Sequence, residues 1–178
     1  MDADILKAND EIARKFGEIE ADLAGCREIG ELFESLLMGS EGAFGIPFVW
    51  LSVLRKPETE RLIQILGKSD ILRDRINIIA PAPFLEIFPD TGRPLLASGD
   101  LRSFFRLMPP NVKYFLRCLA VAPLTCHGAL IGSLNHGDAS PDRYRSGMDT
   151  SLLSHLARSV SGHLSRLLPP KGDVTPGQ

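Results

Sequence analysis

Two apolar runs, "FLRCLAVAPL" from Phe115 to Leu124 and "ALIGSLNHGD" from Ala129 to Asp138, are separated by only four residues, Thr125-Cys126-His127-Gly128. Runs this rich in Ala, Val, Leu and Ile, joined by a short glycine-containing connection, predict an antiparallel hairpin. Few polar residues alternate along either strand, so both faces of the hairpin should be covered. A sheet with layers on both sides is the architecture that this constraint allows.

The remaining segments supply those layers. Ile5, Ile12 and Ile19 stand seven apart, with Asn9, Phe16 and Leu23 four residues after each, which is a heptad seam on a helix. With the isoleucines at d, Asn9 takes an a position, where a buried amide fixes register and oligomer state. The seam suits a dimer contact, and the competing reading is a helix lying on its own domain. A second helix carries Ile29, Leu32, Phe33, Leu36 and Leu37 and should end near Met38, where Gly39, Gly42 and Gly45 break the pattern.

"IPFVWLSVLR", from Ile46 to Arg55, is β-branched and aromatic and reads as a central strand. Glu58 to Gly67 fits a short helix or an irregular edge strand. From Asp70 to Pro110 the prolines at 81, 83, 89, 94, 109 and 110 forbid long elements. The apolar residues there, among them Phe84, Phe88, Phe104 and Phe105, must still pack, so the segment should form a lid over one sheet face. Ser140-Pro141-Asp142 has the hydroxyl and proline of a helix start. A last helix, capped by Asp149 or Thr150, carries Leu153, Leu156, Val160, His163 and Leu167 at alternating three- and four-residue steps. The closing "PPKGDVTPGQ" is too polar and broken to pack.

At 178 residues, 44% hydrophobic and 24% charged, the chain is of ordinary globular composition and long enough for one core. Its net charge of −2 comes from dispersed charges, which argues against a nucleic-acid partner. No apolar run reaches the length of a membrane span, and the start lacks a signal-peptide pattern. Three cysteines without a framework spacing fit a reducing compartment, so a cytoplasmic location is expected.

The stretch from Leu116 to Leu168 resembles the bacterial GAF-like family catalogued as domain of unknown function 484. The resemblance is carried by the apolar strand ending in Pro123-Leu124, by Gly128, Gly132 and Ser133 in its partner, and by Asp138 and Tyr144. Gly147-Met148-Asp149-Thr150 before the Leu-rich helix completes it. Asn135-His136-Gly137 departs from the family's more direct passage into the acidic turn. From Met1 to Tyr114 the match is one of element order alone.

The resemblance implies an α+β, GAF-like fold related to the profilin and PAS folds, with a central antiparallel sheet and both terminal helices on one face. It also implies a regulatory homodimer without an assigned reaction. Residues 1–26 would be a dimerisation helix, 27–168 the GAF-like domain and 169–178 a disordered tail. The interface would use Ile5, Asn9, Ile12, Phe16, Ile19 and Leu23 with Leu153, Leu156, Val160, His163 and Leu167.

For a small ligand, Trp50, Phe84, Phe88 and Phe105 supply an aromatic lining, with Arg102 and Arg117 as cations for an anionic group; an ordinary core is the competing reading. Nothing in the sequence names a cofactor. Cys126-His127 has the residue types of a bilin attachment site, but it falls in the hairpin connection. Cys126, His127 and His136 lack the spacing of a metal site. A structural protein-interaction module, whose Pro-rich segment fills the pocket, is the non-enzymatic alternative, and a thiol-dependent reductase of the free-methionine-sulfoxide type is the enzymatic one. The reductase requires an exposed, low-pKa thiolate, whereas Cys118 lies within an apolar strand. No catalytic triad, phosphate-cradling loop or carboxylate pair stands out.

Overall fold

The computed structural model describes residues 3–170, so the residues of the expected tail from 171 onward lie outside the described residues. The order is α1 (Ala3–Ala24), α2 (Ile29–Phe44), β1 (Phe48–Leu54), α3 (Glu60–Gly67), β2 (Ile76–Ile79), α4 (Pro81–Ile87) and β3 (Leu95–Ser98). A 3₁₀ segment (Arg102–Leu107), β4 (Cys118–Cys126), β5 (Ala129–Asp138) and α5 (Ser151–Leu167) follow. The strands form one sheet in the order β2-β1-β5-β4-β3.

The hairpin forms as expected, with β4 and β5 paired antiparallel from Cys118↔Asp138 to Cys126↔Ala129. His127 and Gly128 make its turn at φ 51° and 82°, the two positive values that a type I′ connection needs. Pro123 is tolerated in β4 because β3 pairs only with Cys118 to Val121, leaving no ladder bond there for a missing N–H to break. At Gly132, φ is 152° and a Cβ would come within 1.9 Å of the Ser52 carbonyl oxygen, so only glycine permits this close approach of β5 to β1.

The sheet is mixed rather than purely antiparallel: β1 pairs antiparallel with β5 but parallel with β2. The connection between β1 and β2 runs through α3, the crossover that a parallel pair requires. The Pro-rich segment contains two four-residue strands, β2 and β3, where only short pieces and loops were expected.

α1, α2 and α5 share one core with the side chains of Val49, Leu51, Val53, Ala120, Ala122, Leu124 and Leu134 on the sheet. α2 continues past Gly39 and Gly42 to Phe44, six residues beyond the expected end. Neither glycine is demanded by packing: a Cβ at Gly39 would meet Ile19 Cγ1 of α1 at 3.5 Å, an ordinary contact, and one at Gly42 would meet open space. The helix stops at Gly45, whose left-handed φ of 63° makes the terminating cap. No helix starts at Ser140: residues 139–150 are turns and bends, and α5 begins after Thr150, whose side chain makes no capping bond, while Asp149 Oδ1 accepts from the Ser151 N–H at 2.8 Å. Among the described residues no helix is long and apolar enough to cross a membrane.

Candidate functional site

Strand alternation sends Trp50, Ser52 and Leu54 of β1, Leu119 and Val121 of β4, and Ser133 and Asn135 of β5 to the face opposite the three long helices. There α4 and the 3₁₀ segment close over them. Trp50, Phe84 and Phe88 are 2%, 0% and 1% exposed, and Leu107, Met108, Leu116, Leu119 and Val121 complete the filling. Three of the six expected ligand-binding residues are therefore packed core.

This filling is bolted as well as packed. Trp50 Nε1 and Ser52 Oγ both donate to the Leu107 carbonyl, at 2.7 and 2.9 Å. Asn135 Nδ2 donates to Ser52 Oγ at 2.9 Å, and Ser133 Oγ donates to Asn135 Oδ1 at 2.9 Å. Next to it, Asn77 Nδ2 donates to the Arg106 carbonyl at 2.7 Å. A buried chain of this kind is costly if any member is left unpaired, and here each bond satisfies its neighbour. Its polar residues sit at alternate positions of otherwise apolar strands, and that alternation was the available sequence signal.

The other three, Arg102, Phe105 and Arg117, come together outside this core, with Lys113 and Tyr114, around a shallow depression of about 360 Å³. Lys113 Nζ lies 5.6 Å from the Phe105 ring centre and 5.2 Å from that of Tyr114. Arg102 is engaged by Asp100 through Nε at 3.0 Å and Nη2 at 2.6 Å, bonds that hold the Asp100 carboxyl at about 2.

The cysteines do not assemble into a centre. All three are free and buried, and burial raises the thiols of both Cys118 and Cys126 above their ordinary value. Eight residues apart on one strand, Cys118 and Cys126 are separated by about 27 Å, far beyond disulfide reach. Cys126 and His136 likewise lie near opposite ends of the hairpin, about 20 Å apart along the strands. His127 is spent on holding the turn to α5: its N–H donates to Ser165 Oγ at 2.8 Å and its Nε2 meets the Leu168 carbonyl at 2.6 Å. Among the described residues no group of three His, Cys, Asp or Glu side chains gathers to hold a metal.

The expected dimer strip divides in two. Ile19, Leu23, Leu153, Leu156 and Val160 point into the protomer's own core, which corrects their assignment to a contact between copies. His163 is half-buried against Arg166, and Leu167 is partly buried on the same core. Phe16 stacks on Phe44 with ring centres 4.7 Å apart. Asn9 and Ile12, one to two turns earlier, remain exposed, as does Leu6; the Ile5 side chain lies outside the described residues.

A five-stranded sheet in this order, with three long helices on one face and a lid on the other, is a GAF-like fold. The chain is similar to the free methionine-R-sulfoxide reductase of Neisseria meningitidis, solved with its substrate. The TM-score is 0.57 at 17% identity, over 85% of this chain and 87% of that one. The GAF domain of the cyanobacteriochrome TePixJ gives a TM-score of 0.49 at 16% identity, over 82% and 94% of the two chains. The GAF domain/HD domain protein of Geobacter sulfurreducens gives 0.46 at 13% identity, over 82% and 95%. The first of these is a likeness of fold. No family model matches the chain, and no curated protein does either.

Proposed function

We propose that this chain is a non-catalytic, GAF-like sensory or regulatory domain of the cytoplasm, related to the family of domain of unknown function 484. In this reading it pairs with a second copy through α1. The observation that carries the non-catalytic part is the far face of the sheet: it is filled by Trp50, Phe84 and Phe88 and tied shut at Leu107, and the buried thiols lie elsewhere. A reductase needs an accessible thiolate and a partner within reach, whereas all three thiols are buried and Cys118 and Cys126 stand at opposite ends of one strand. Turnover of free methionine sulfoxide that disappears in Cys118→Ser or Cys126→Ser would overturn this reading.

Self-association is supported by the course of α1. Its last turns are anchored by Ile19 and Leu23, and His155 Nδ1 of α5 meets Glu20 Oε2 at 2.8 Å. Its first turns carry apolar side chains that the protomer leaves uncovered, Leu6 at 63% and Ile12 at 41% exposure. A second α1 laid along them would bury these side chains and transmit its position through the anchored half into α5. Sedimentation at micromolar concentration should give a dimer, and Leu6→Glu combined with Ile12→Glu should give a monomer with unchanged helical content. A wild-type monomer, or a double variant that still pairs, refutes the contact.

A further inference from the structure

The helix side of the sheet is open at its β3 end. A cavity of about 590 Å³ lies between the first half of α1, Leu96 of β3, the start of α5 and the loop 139–150, within the ordinary size range of small-molecule sites. Its apolar walls include Ile12, Phe16, Phe44, Ile46, Leu96 and Leu153.

His136 is part of this wall and only 3% exposed. Its Nδ1 stands 3.4 Å from the Tyr144 hydroxyl, and its Nε2 is buried with no hydrogen-bond partner among the described residues. Burial, with the Arg143 charge adding to it, lowers the ring to about 4, so the imidazole is neutral. Burial raises Tyr144, which keeps its proton and can donate it to Nδ1. That tautomer places the ring's own proton on Nε2, a donor without an acceptor. An unmet buried donor costs its desolvation with nothing in return.

The cavity's cation is already spent. Arg143 Nε donates to Asp138 Oδ2 at 2.6 Å, and its two terminal nitrogens donate to the carbonyls of Phe44 and Gly45 at 3.3 and 3.4 Å. Asp149, also on the wall, would repel an anion, and its Oδ1 is taken by the Ser151 N–H and hydroxyl.

We infer that this cavity binds a neutral, largely apolar molecule of about two fused rings in size, which presents a carbonyl or hydroxyl oxygen to His136 Nε2. The inference names the ligand class of the sensory role proposed above and rests on that reading. The occupant would touch α1 and α5 together, on the side of the sheet opposite the filled face.

Calorimetric titration of the full chain with 2-acetylnaphthalene, 2-naphthoate and 2-ethylnaphthalene tests it, with sedimentation run on the same samples. The ketone should bind about tenfold tighter than the carboxylate or the hydrocarbon, the worth of one good hydrogen bond. His136→Phe should bring ketone and hydrocarbon to equal affinity, and Leu96→Trp, which fills the cavity from β3, should weaken all three compounds at least about tenfold.

Where either variant fails to fold, long-range ¹⁵N spectra of the wild type decide: the His136 Nε2 signal should be that of a protonated nitrogen and should shift on adding the ketone. Equal binding of ketone and carboxylate, ketone binding untouched by Leu96→Trp, an unprotonated or unmoved Nε2, or no binding at the ketone's solubility limit overturns the inference. So does binding seen only in a dissociated chain, which would assign the cavity to a second copy. A monomer that binds the ketone refutes the pairing and leaves the site standing, and a dimer that binds nothing does the reverse.

Discussion

Acidifying the protein from about pH 7 to pH 5 protonates histidine in the unfolded chain, and His136 makes that protonation costly to the fold. Its ring titrates near its ordinary 6.5 when unfolded but only at about 4 when buried beside Arg143. Above 6.5 it is neutral in both states and adds no pH dependence. Below 6.5 the unfolded chain takes up a proton that the folded one refuses, so stability falls until the pH reaches about 4. At 1.36 kcal/mol per pH unit the full loss is about 3 kcal/mol, of which about 2 kcal/mol is gone by pH 5.

The groups around the ring set the sign. Arg143 opposes a second positive charge, Tyr144 is neutral, and the Asp138 carboxylate is already paired with Arg143. Urea unfolding of the wild type and of His136→Phe at pH 7 and pH 5 isolates the effect, because His127, His155 and His163 are common to both proteins. The wild type should lose about 2 kcal/mol more than the variant between the two conditions, or about 4–8 °C in melting temperature for a domain of this size. Equal losses would refute the reasoning, since the pH dependence would then arise elsewhere.

Gly132→Ala should abolish soluble expression or cost more than about 4 kcal/mol, because the new Cβ meets the Ser52 carbonyl, whereas Gly128→Ala, in open space at φ 82°, should cost about 1–2 kcal/mol by thermal melts. Asn135→Ala should destabilise by about 3 kcal/mol in denaturant titrations, since it leaves both Ser52 and Ser133 short of a bond. The buried thiols should resist an aromatic disulfide reagent in the native protein and react only on unfolding. Rapid native labelling of Cys118 would contradict its burial and its raised thiol.

The hairpin, β1 and α5 were legible because each carries its signal locally: apolar runs ending in a Gly turn, or a stripe at helical spacing. β2 and β3 were not, because four residues next to a proline show no period; they are strands through pairing with β1 and β4. Gly39 and Gly42 mimicked a helix end, although α2 runs through both and stops only at Gly45. The heptad spacing of α1 identified an apolar strip but not the body it faces, and half of the strip faces its own core. The same ambiguity governed the aromatics: Trp50, Phe84 and Phe88 suit a pocket lining or a filled core equally, and the lid over them decides. The covered faces expected of the hairpin imply a buried His136, but nothing local shows what its ring meets, for its neighbours come from elsewhere in the chain.

Because two donors from alternate positions of β1 converge on the single Leu107 oxygen, neither bond is released without the other. Slackening the 3₁₀ segment strands the indole and the hydroxyl together, while Asn135 keeps its bonds to Ser52 and Ser133 within the sheet. Amides over this region should therefore exchange with solvent as one cooperative unit rather than fray one by one, and a protease should cut there only after the whole layer has lifted.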